Sequence, residues 1–140
     1  MSAMPLTCPE PVSQPTIQRL ALVVEDERRM RATMIEMLRS LGYHTLEAAS
    51  GFEAIRLAAQ FRPALVVMDS LLPNMHGLEV SRFIRNADSS YTPRIIVVTG
   101  IYRNIRYRNE ARLKYGIEDY LVKPVTREAL AAALGEEARS

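Results

Sequence analysis

The sequence lacks the residues that would build a disulfide framework, a cysteine-bound metal or a membrane span. Its 140 residues include one cysteine and no tryptophan. An internal disulfide and a cysteine-based zinc site are therefore excluded. No apolar run approaches the length of a membrane-spanning helix, and the amino terminus has neither the basic lead nor the apolar stretch of a signal peptide. These absences predict a cytoplasmic protein without membrane association.

The sequence also has only a small net charge. Eighteen basic residues against 16 acidic ones leave a net charge of +2, which gives no general attraction to nucleic acid or membranes. The length and the hydrophobic content of 48% suit one domain. Residues 1–16 carry four prolines among polar residues and are predicted to be a disordered tail. The folded domain is predicted over 17–137, with 138–140 as the carboxyl-terminal end.

Short β-branched runs alternate with longer stretches whose apolar residues recur at helical spacing. The predicted strands are 20–24, 43–47, 64–68, 94–98 and 120–122. Crossovers long enough for a helix favour an open, doubly wound parallel sheet with five helices. The expected strand order is 2-1-3-4-5, the flavodoxin-like arrangement. Its switch point lies between strands 1 and 3, where such folds bind ligands.

Carboxylates follow the two strands that flank this switch point. The acidic run 25–27 follows strand 1, and Asp69 follows strand 3. Carboxylates at one point repel each other, and Mg²⁺ relieves that conflict because it prefers oxygen ligands and leaves room for phosphate oxygens. Thr99 and Lys123, after strands 4 and 5, add a hydroxyl and a cation at the same edge. The set is sufficient for phosphorylation of Asp69.

From Leu20 to about Leu134, the chain resembles the response-regulator receiver domain of two-component signalling. The matching motifs are 23–27 (VVEDE), 65–69 (LVVMD), 73–77 (PNMHG), 95–100 (IIVVTG) and 119–124 (DYLVKP). Together they are highly specific, and each position that the family requires is filled.

The resemblance implies a phosphoacceptor and a metal site. Asp69 would accept the phosphoryl group, and Lys123 would pair with it. Mg²⁺ would be held by Asp69, by Asp26 directly, by Glu25 through water, and by the backbone carbonyl of Leu71. The phosphoryl donor would be a sensor histidine kinase or a histidine phosphotransfer protein. The domain itself would be a signalling module and not an enzyme.

The resemblance also implies a switch and an output surface. Thr99 would move to the phosphoryl group and Tyr120 would rotate in response, which changes the binding of a downstream protein effector. The stretch 103–114 has a local charge of +4, since it holds five basic residues and one acidic residue. We expect Tyr102, Arg103 and Arg106 to form a partner surface that suits an acidic protein. A phosphorylation-dependent homodimer is a further option, and direct contact with nucleic acid is not expected.

Three positions depart from the usual pattern of the family. His76 stands where an acidic residue is frequent, and it is expected in a loop. Neither His76 nor His44 has a second histidine at ligand spacing, so neither is assigned a metal. Leu71 and Ile101 place apolar side chains where polar groups can orient water. The prediction is slow loss of the phosphoryl group.

Other functions remain as alternatives. A receiver-like module could bind partners without phosphorylation, although the complete acidic site argues against it. A phosphohydrolase with an aspartyl-phosphate intermediate needs an acid-base carboxylate at the position of Leu71. A flavin-binding protein of the same topology needs a phosphate-binding loop in place of the acidic run 25–27. Whether the chain is a stand-alone receiver or a fragment that lacks its effector domain is left open.

Overall fold

A computed structural model describes residues 19–100 and 119–135, which form seven strands and four helices. The strands are β1 (Leu20–Val24), β2 (His44–Ala48), β3 (Leu65–Asp69), β4 (Leu71–Leu72), β5 (Met75–His76), β6 (Arg94–Thr99) and β7 (Asp119–Val122). The helices are α1 (Arg28–Ser40), α2 (Gly51–Phe61), α3 (Gly77–Ala87) and α4 (Arg127–Leu134). The helix predicted in the basic stretch 103–115 and the tail 1–16 lie outside the described residues. None of the four helices has the length and apolar character needed to cross a membrane.

Five strands form one sheet in the order β2-β1-β3-β6-β7, and every neighbouring pair is parallel. Counted within this sheet, the order is the predicted 2-1-3-4-5, so the doubly wound class is confirmed. Each residue of β3 is buried, as expected for a central parallel strand that helices cover on both faces. Asp69 at its end pairs in register with Val98 of β6.

Alternate residues of the central strands supply two apolar layers. Val66 and Met68 face the layer that contains residues of α2 and α3. Leu65 and Val67 face the layer that contains residues of α1 and α4. This alternation follows from the two-residue period of a strand. Burial on both faces fixes the strand register, which in turn fixes the residues that stand at the carboxyl ends of the strands.

The predicted helix boundaries have their expected capping groups. The side chain of Ser50 accepts a hydrogen bond from the N–H of Glu53 (3.2 Å) at the start of α2. That of Thr126 accepts one from the N–H of Ala129 (3.0 Å) at the start of α4. After α1, Gly42 has φ = 98°, a left-handed conformation that glycine adopts at little cost.

The loop predicted after β3 contains a second, two-stranded sheet. In it β4 and β5 pair antiparallel, with Leu71 opposite His76. Pro73 and Asn74 connect them, and Asn74 has a positive φ of 67°, which asparagine tolerates better than most residues. The expectation that His76 lies in a loop is therefore wrong. It ends β5, and its Nδ1 accepts a hydrogen bond from the N–H of Leu78 (3.2 Å), which caps α3.

The second strand starts one residue later than predicted. His44 pairs with Leu20 at the start of β1, so the parallel pairing begins there. Tyr43 instead places its ring under the guanidinium of Arg19, 4.6 Å from the ring centre. The cation–π contact accounts for an aromatic residue that the sequence pattern assigned to the strand.

Candidate functional site

The candidate site lies where β1, β3, β6 and β7 end at one edge of the sheet. Glu25 follows β1, Asp69 ends β3 and Thr99 ends β6. Lys123 follows β7, and its backbone N–H donates to the carbonyl of Thr99 (2.7 Å). Parallel strands bring their carboxyl ends to the same edge, so four residues distant in sequence meet here.

The ammonium of Lys123 joins the two buried carboxylates. Its Nζ lies 3.3 Å from Oε1 of Glu25 and 3.3 Å from Oδ2 of Asp69. Glu25 is 1% exposed and Asp69 is 6% exposed, so water screens little of their charge. Among the described residues, two anions therefore share one cation, and the cluster has more negative than positive charge.

A third carboxylate, that of Asp26, completes an acidic cluster. Glu25, Asp26 and Asp69 each offer an oxygen, and these oxygens all lie within 4.8 Å of one another. Asp26 is exposed whereas the other two are buried, so the cluster opens to solvent on one side. Oxygen donors with an open side suit Mg²⁺, which keeps several waters and binds phosphate oxygens. The donor set therefore fits the predicted metal.

The pKa values of Glu25 and Lys123 follow from their burial and from the charges beside them. Burial is the largest influence on Glu25 and raises the pKa of its carboxyl, and the charge of Asp69 adds to the rise. Hydrogen bonds from the N–H of Glu27 and from Lys123 only partly offset it. Burial lowers the pKa of Lys123, but the charges of Asp69 and Glu25 outweigh burial and leave that pKa above its usual value. The ammonium is therefore held in its charged form.

Glu27, the last residue of the acidic run, has a different role from its neighbours. Its Oε1 accepts a hydrogen bond from the N–H of Met30 (2.8 Å), so it is the N-cap of α1. Its own backbone N–H donates to Oε2 of Glu25 (3.0 Å). Glu27 thus orients Glu25 and starts the helix.

The segment after Asp69 is fixed against the site. Oδ1 of Asp69 accepts a hydrogen bond from the N–H of Leu71 (3.3 Å), and the N–H of Gly77 donates to the carbonyl of Ser70 (2.8 Å). A Cβ at Gly77 would collide with the backbone oxygen of Asp69, so glycine is required for this close approach. The side chain of Leu71 is half exposed. Its carbonyl as a metal ligand stays a prediction.

The switch and partner residues are only partly described. Thr99 is fully buried and lies beside Lys123 through the backbone contact given above. Tyr120 is opposite Val97 in the register of β6 and β7, and its side chain lies outside the described part of the chain. Tyr102, Arg103, Arg106 and Ile101 lie outside it entirely. Their predicted roles in switching, partner binding and phosphoryl lifetime stay predictions.

The sequence pattern did not predict the hydrogen bonds of Arg31 beside the acidic cluster. Arg31, in the first turn of α1, donates from Nη1 to the backbone carbonyl of Glu25 (2.8 Å). Its Nε donates to Oε1 of Glu47 in β2 (2.8 Å). An arginine four residues after Glu27 is a usable signal, because the first turn of a helix faces the loop that precedes it.

The fold and the site define a doubly wound α/β domain with an acidic, lysine-bridged centre at its topological switch point. The family model of the response regulator receiver domain matches residues 21–135. The chain therefore belongs to the response regulator receiver domain family of two-component signalling.

Similar proteins support this assignment. The chain is 36% identical over 114 residues to Regulator of RpoS from Escherichia coli K12, a match that covers 81% of this chain and 33% of that protein. It is 31% identical over 106 residues to the polar-differentiation response regulator DivK from Brucella anthropi, covering 75% of this chain and 84% of that protein. The structure of Vibrio cholerae CheY4 superimposes with a TM-score of 0.76 at 25% identity, covering 84% and 97% of the two chains. The chain thus spans a third of the first relative and most of the second.

Proposed function

We propose that Asp69 accepts a phosphoryl group and that Mg²⁺ assists the transfer. One observation carries the proposal. Three carboxylates offer oxygens within 4.8 Å of one another, while Lys123 reaches only the two buried ones, each at 3.3 Å. Within the described part of the chain, the site has more anions than cations and is open on one side, which suits a divalent cation and then a phosphate group.

The donor in this proposal is a phosphohistidine of a sensor histidine kinase or a histidine phosphotransfer protein. A carboxylate oxygen of Asp69 attacks phosphorus, and an O–P bond forms as the N–P bond breaks. The electron pair of the broken bond stays on the imidazole nitrogen of the donor. Lys123 pairs with the phosphoryl oxygens. Asp26, Asp69 and the Leu71 carbonyl would hold Mg²⁺ directly and Glu25 would hold it through water, and the ion would supply the charge that lets two anions approach each other.

The output in this proposal is a change of partner. Thr99 moves toward the phosphoryl group and Tyr120 rotates, which shifts the equilibrium of the neighbouring surface. Tyr102, Arg103 and Arg106 then favour an acidic protein effector, since opposite charge on the two surfaces favours association. The basic composition of that stretch supports this surface.

Acetyl phosphate tests the transfer without any partner. The full chain is incubated with it, with and without Mg²⁺, and intact mass is recorded for wild type, Asp69→Asn and Asp88→Asn. We expect wild type and the control Asp88→Asn to gain one phosphoryl group only with Mg²⁺, and Asp69→Asn to gain none. A gain in Asp69→Asn contradicts the proposal. No gain in wild type supports the phosphorylation-independent interaction module instead.

We further propose that phosphorylated Asp69 hydrolyses slowly. The neighbouring Leu71 exposes an apolar side chain, 51% accessible, and offers no polar group to orient an attacking water. After removal of acetyl phosphate, the loss of the phosphoryl group is followed by intact mass for wild type and Leu71→Gln. We expect faster loss in Leu71→Gln, and loss from wild type within seconds contradicts the proposal.

A further inference from the structure

Arg31 connects the acidic loop to the second strand. Its side chain is 17% exposed, whereas that of its partner Glu47 is 60% exposed. The two hydrogen bonds of the guanidinium, to the carbonyl of Glu25 and to the carboxylate of Glu47, are both 2.8 Å long. Because this largely buried arginine donates one hydrogen bond to a backbone carbonyl, it can hold the carbonyl oxygen in a fixed position.

The Glu25 carbonyl that Arg31 contacts belongs to the peptide unit between Glu25 and Asp26. The backbone N–H of Glu25 donates to the carbonyl of Ala48 (3.0 Å). Because a peptide unit is planar, holding its oxygen sets the direction in which the chain continues to Asp26. Asp26 is exposed, and within the described residues no hydrogen bond to its carboxylate is found. Its position therefore depends on the backbone.

We propose that Arg31 is a positioning residue for the acidic pair. It holds the Glu25–Asp26 peptide unit so that the Asp26 carboxylate stays beside Asp69, and Glu47 fixes the guanidinium in turn. This proposal rests on the proposed role of the cluster as a Mg²⁺ site. Arg31 acts through the backbone and touches neither the metal nor the phosphoryl group.

An arginine suits this task better than a lysine. Its planar guanidinium donates in two fixed directions, here toward Glu25 and Glu47, whereas an ammonium is a single point charge on a flexible stem. The positioning contact and the charge of Arg31 also predict opposite changes in cation binding when the side chain is removed. Loss of a positive charge beside a cation site strengthens cation binding by Coulomb's law, whereas loss of the positioning contact weakens it.

Titration of the full chain with Mg²⁺ alone separates these two effects. Binding is measured by calorimetry and by backbone amide shifts, with no phosphoryl donor present. We expect Arg31→Gln to bind Mg²⁺ about tenfold more weakly than wild type, the scale of lost support around a metal ligand. The control Arg28→Gln removes an exposed charge from the same helical turn, and we expect equal or slightly tighter binding.

Two more variants complete the comparison. Arg31→Lys keeps the charge without the planar fork and is expected to stay weakened. Arg127→Gln removes an exposed hydrogen bond to Ser40 at the far end of α1 (2.8 Å), and we expect it to lower the thermal stability without touching the acidic loop. We expect it to bind Mg²⁺ like wild type, which excludes general destabilisation as the cause.

The outcomes distinguish this inference from the function on which it rests. If Arg31→Gln binds Mg²⁺ as tightly as wild type, or more tightly as Arg28→Gln does, the positioning role is overturned and the metal site stands. If wild type fails to bind Mg²⁺, the proposed metal site and this inference are both overturned. A shift of the Asp26 amide in metal-free Arg31→Gln, with no such shift in Arg28→Gln, is the expected structural signature.

Discussion

The two edges of the central sheet differ in the burial and pairing of their charged residues. At the carboxyl edge, two buried carboxylates share the single ammonium of Lys123. At the amino edge, Arg62 and Asp88 form an ion pair of 2.6 Å with side chains 44% and 45% exposed. Asp88 also accepts hydrogen bonds from the N–H and the hydroxyl of Ser90, 2.9 and 2.7 Å long. Among the described residues, the acidic cluster at the carboxyl edge has more carboxylates than cations, whereas the charges of the Arg62–Asp88 pair at the amino edge are matched.

The pKa values reflect the same difference. Burial raises the pKa of Glu25, whereas the Ser90 hydroxyl, followed by Arg62, lowers the pKa of Asp88 to about 2. A satisfied carboxylate stabilises the fold as it stands. A crowded, buried carboxylate costs free energy until a further cation binds, and this cost distinguishes the edge that carries the proposed site.

The largest predicted effect is the loss of the shared cation. Lys123→Met leaves Glu25 and Asp69 buried without compensation, and we expect the free energy of unfolding to fall by about 2–3 kcal/mol. Arg62→Met at the opposite edge should cost less, because solvent screens an exposed pair. Chemical denaturation with and without Mg²⁺ measures both. Added Mg²⁺ should recover part of the loss in Lys123→Met only, and equal losses in both variants contradict the contrast.

The same substitution is expected to have opposite signs at the two edges. Asp69→Asn removes one of two crowded charges, so the free energy of unfolding without Mg²⁺ should rise by about 1 kcal/mol. Asp88→Asn removes a satisfied charge and should lower it. Both values come from urea denaturation at neutral pH. A lower stability for Asp69→Asn indicates that the buried carboxylates are not in conflict.

The hydroxyls of two serines, Ser70 at the carboxyl edge and Ser90 at the amino edge, differ in the same way. The hydroxyl of Ser70, beside Asp69, is buried and has no hydrogen-bond partner among the described residues. Ser70→Ala should therefore leave the stability unchanged or raise it by up to about 1 kcal/mol. Ser90→Ala breaks the bond to Asp88 and should lower the stability. Thermal unfolding of both variants decides, and a clear loss in Ser70→Ala implies a partner for its hydroxyl.

The smallest effect is a pH dependence of opposite direction at the two edges. The pKa of Asp88 is lowered from 3.8 to about 2, so its contribution to stability is present above 3.8 and is lost as pH falls through about 2. The pKa of Glu25 is raised from 4.5, so its contribution is present below 4.5 and is lost as pH rises through the raised value.

Carboxyl-carbon NMR shifts report these titrations directly. We expect the Asp88 midpoint near 2 in wild type and a higher midpoint in Ser90→Ala, which lacks the main stabilising hydrogen bond. An Asp88 midpoint at its ordinary value in wild type contradicts the described cluster.

The sheet could be predicted because its signals are periodic. Uninterrupted apolar runs such as 64–68 predict central parallel strands, and the confirmed caps Ser50 and Thr126 predict where helices begin. The β4–β5 hairpin was missed because two-residue strands carry no period. Its formation depends on Asn74, whose positive φ is a property of the folded backbone and not of a pattern.

The site could be predicted to the level of its converging strand ends. Parallel topology alone places Glu25, Asp69 and Lys123 at one edge. The contributions of Glu27 and Arg31 were not predicted. The spacing of Arg31 after Glu27 places it near the acidic loop, but the atoms that the two side chains contact depend on the direction of each side chain. Hydrophobic patterning says nothing about such directions.

The central claim is that Asp69 is the acceptor, and reduction of the phosphorylated chain tests it most directly. Borohydride converts an acyl phosphate of aspartate into homoserine, which peptide mass mapping then locates. After treatment with acetyl phosphate and Mg²⁺, we predict homoserine at position 69 alone, and markedly less of it in Lys123→Met. Homoserine at Asp26 or another aspartate, or a phosphoryl group that resists reduction, contradicts the account.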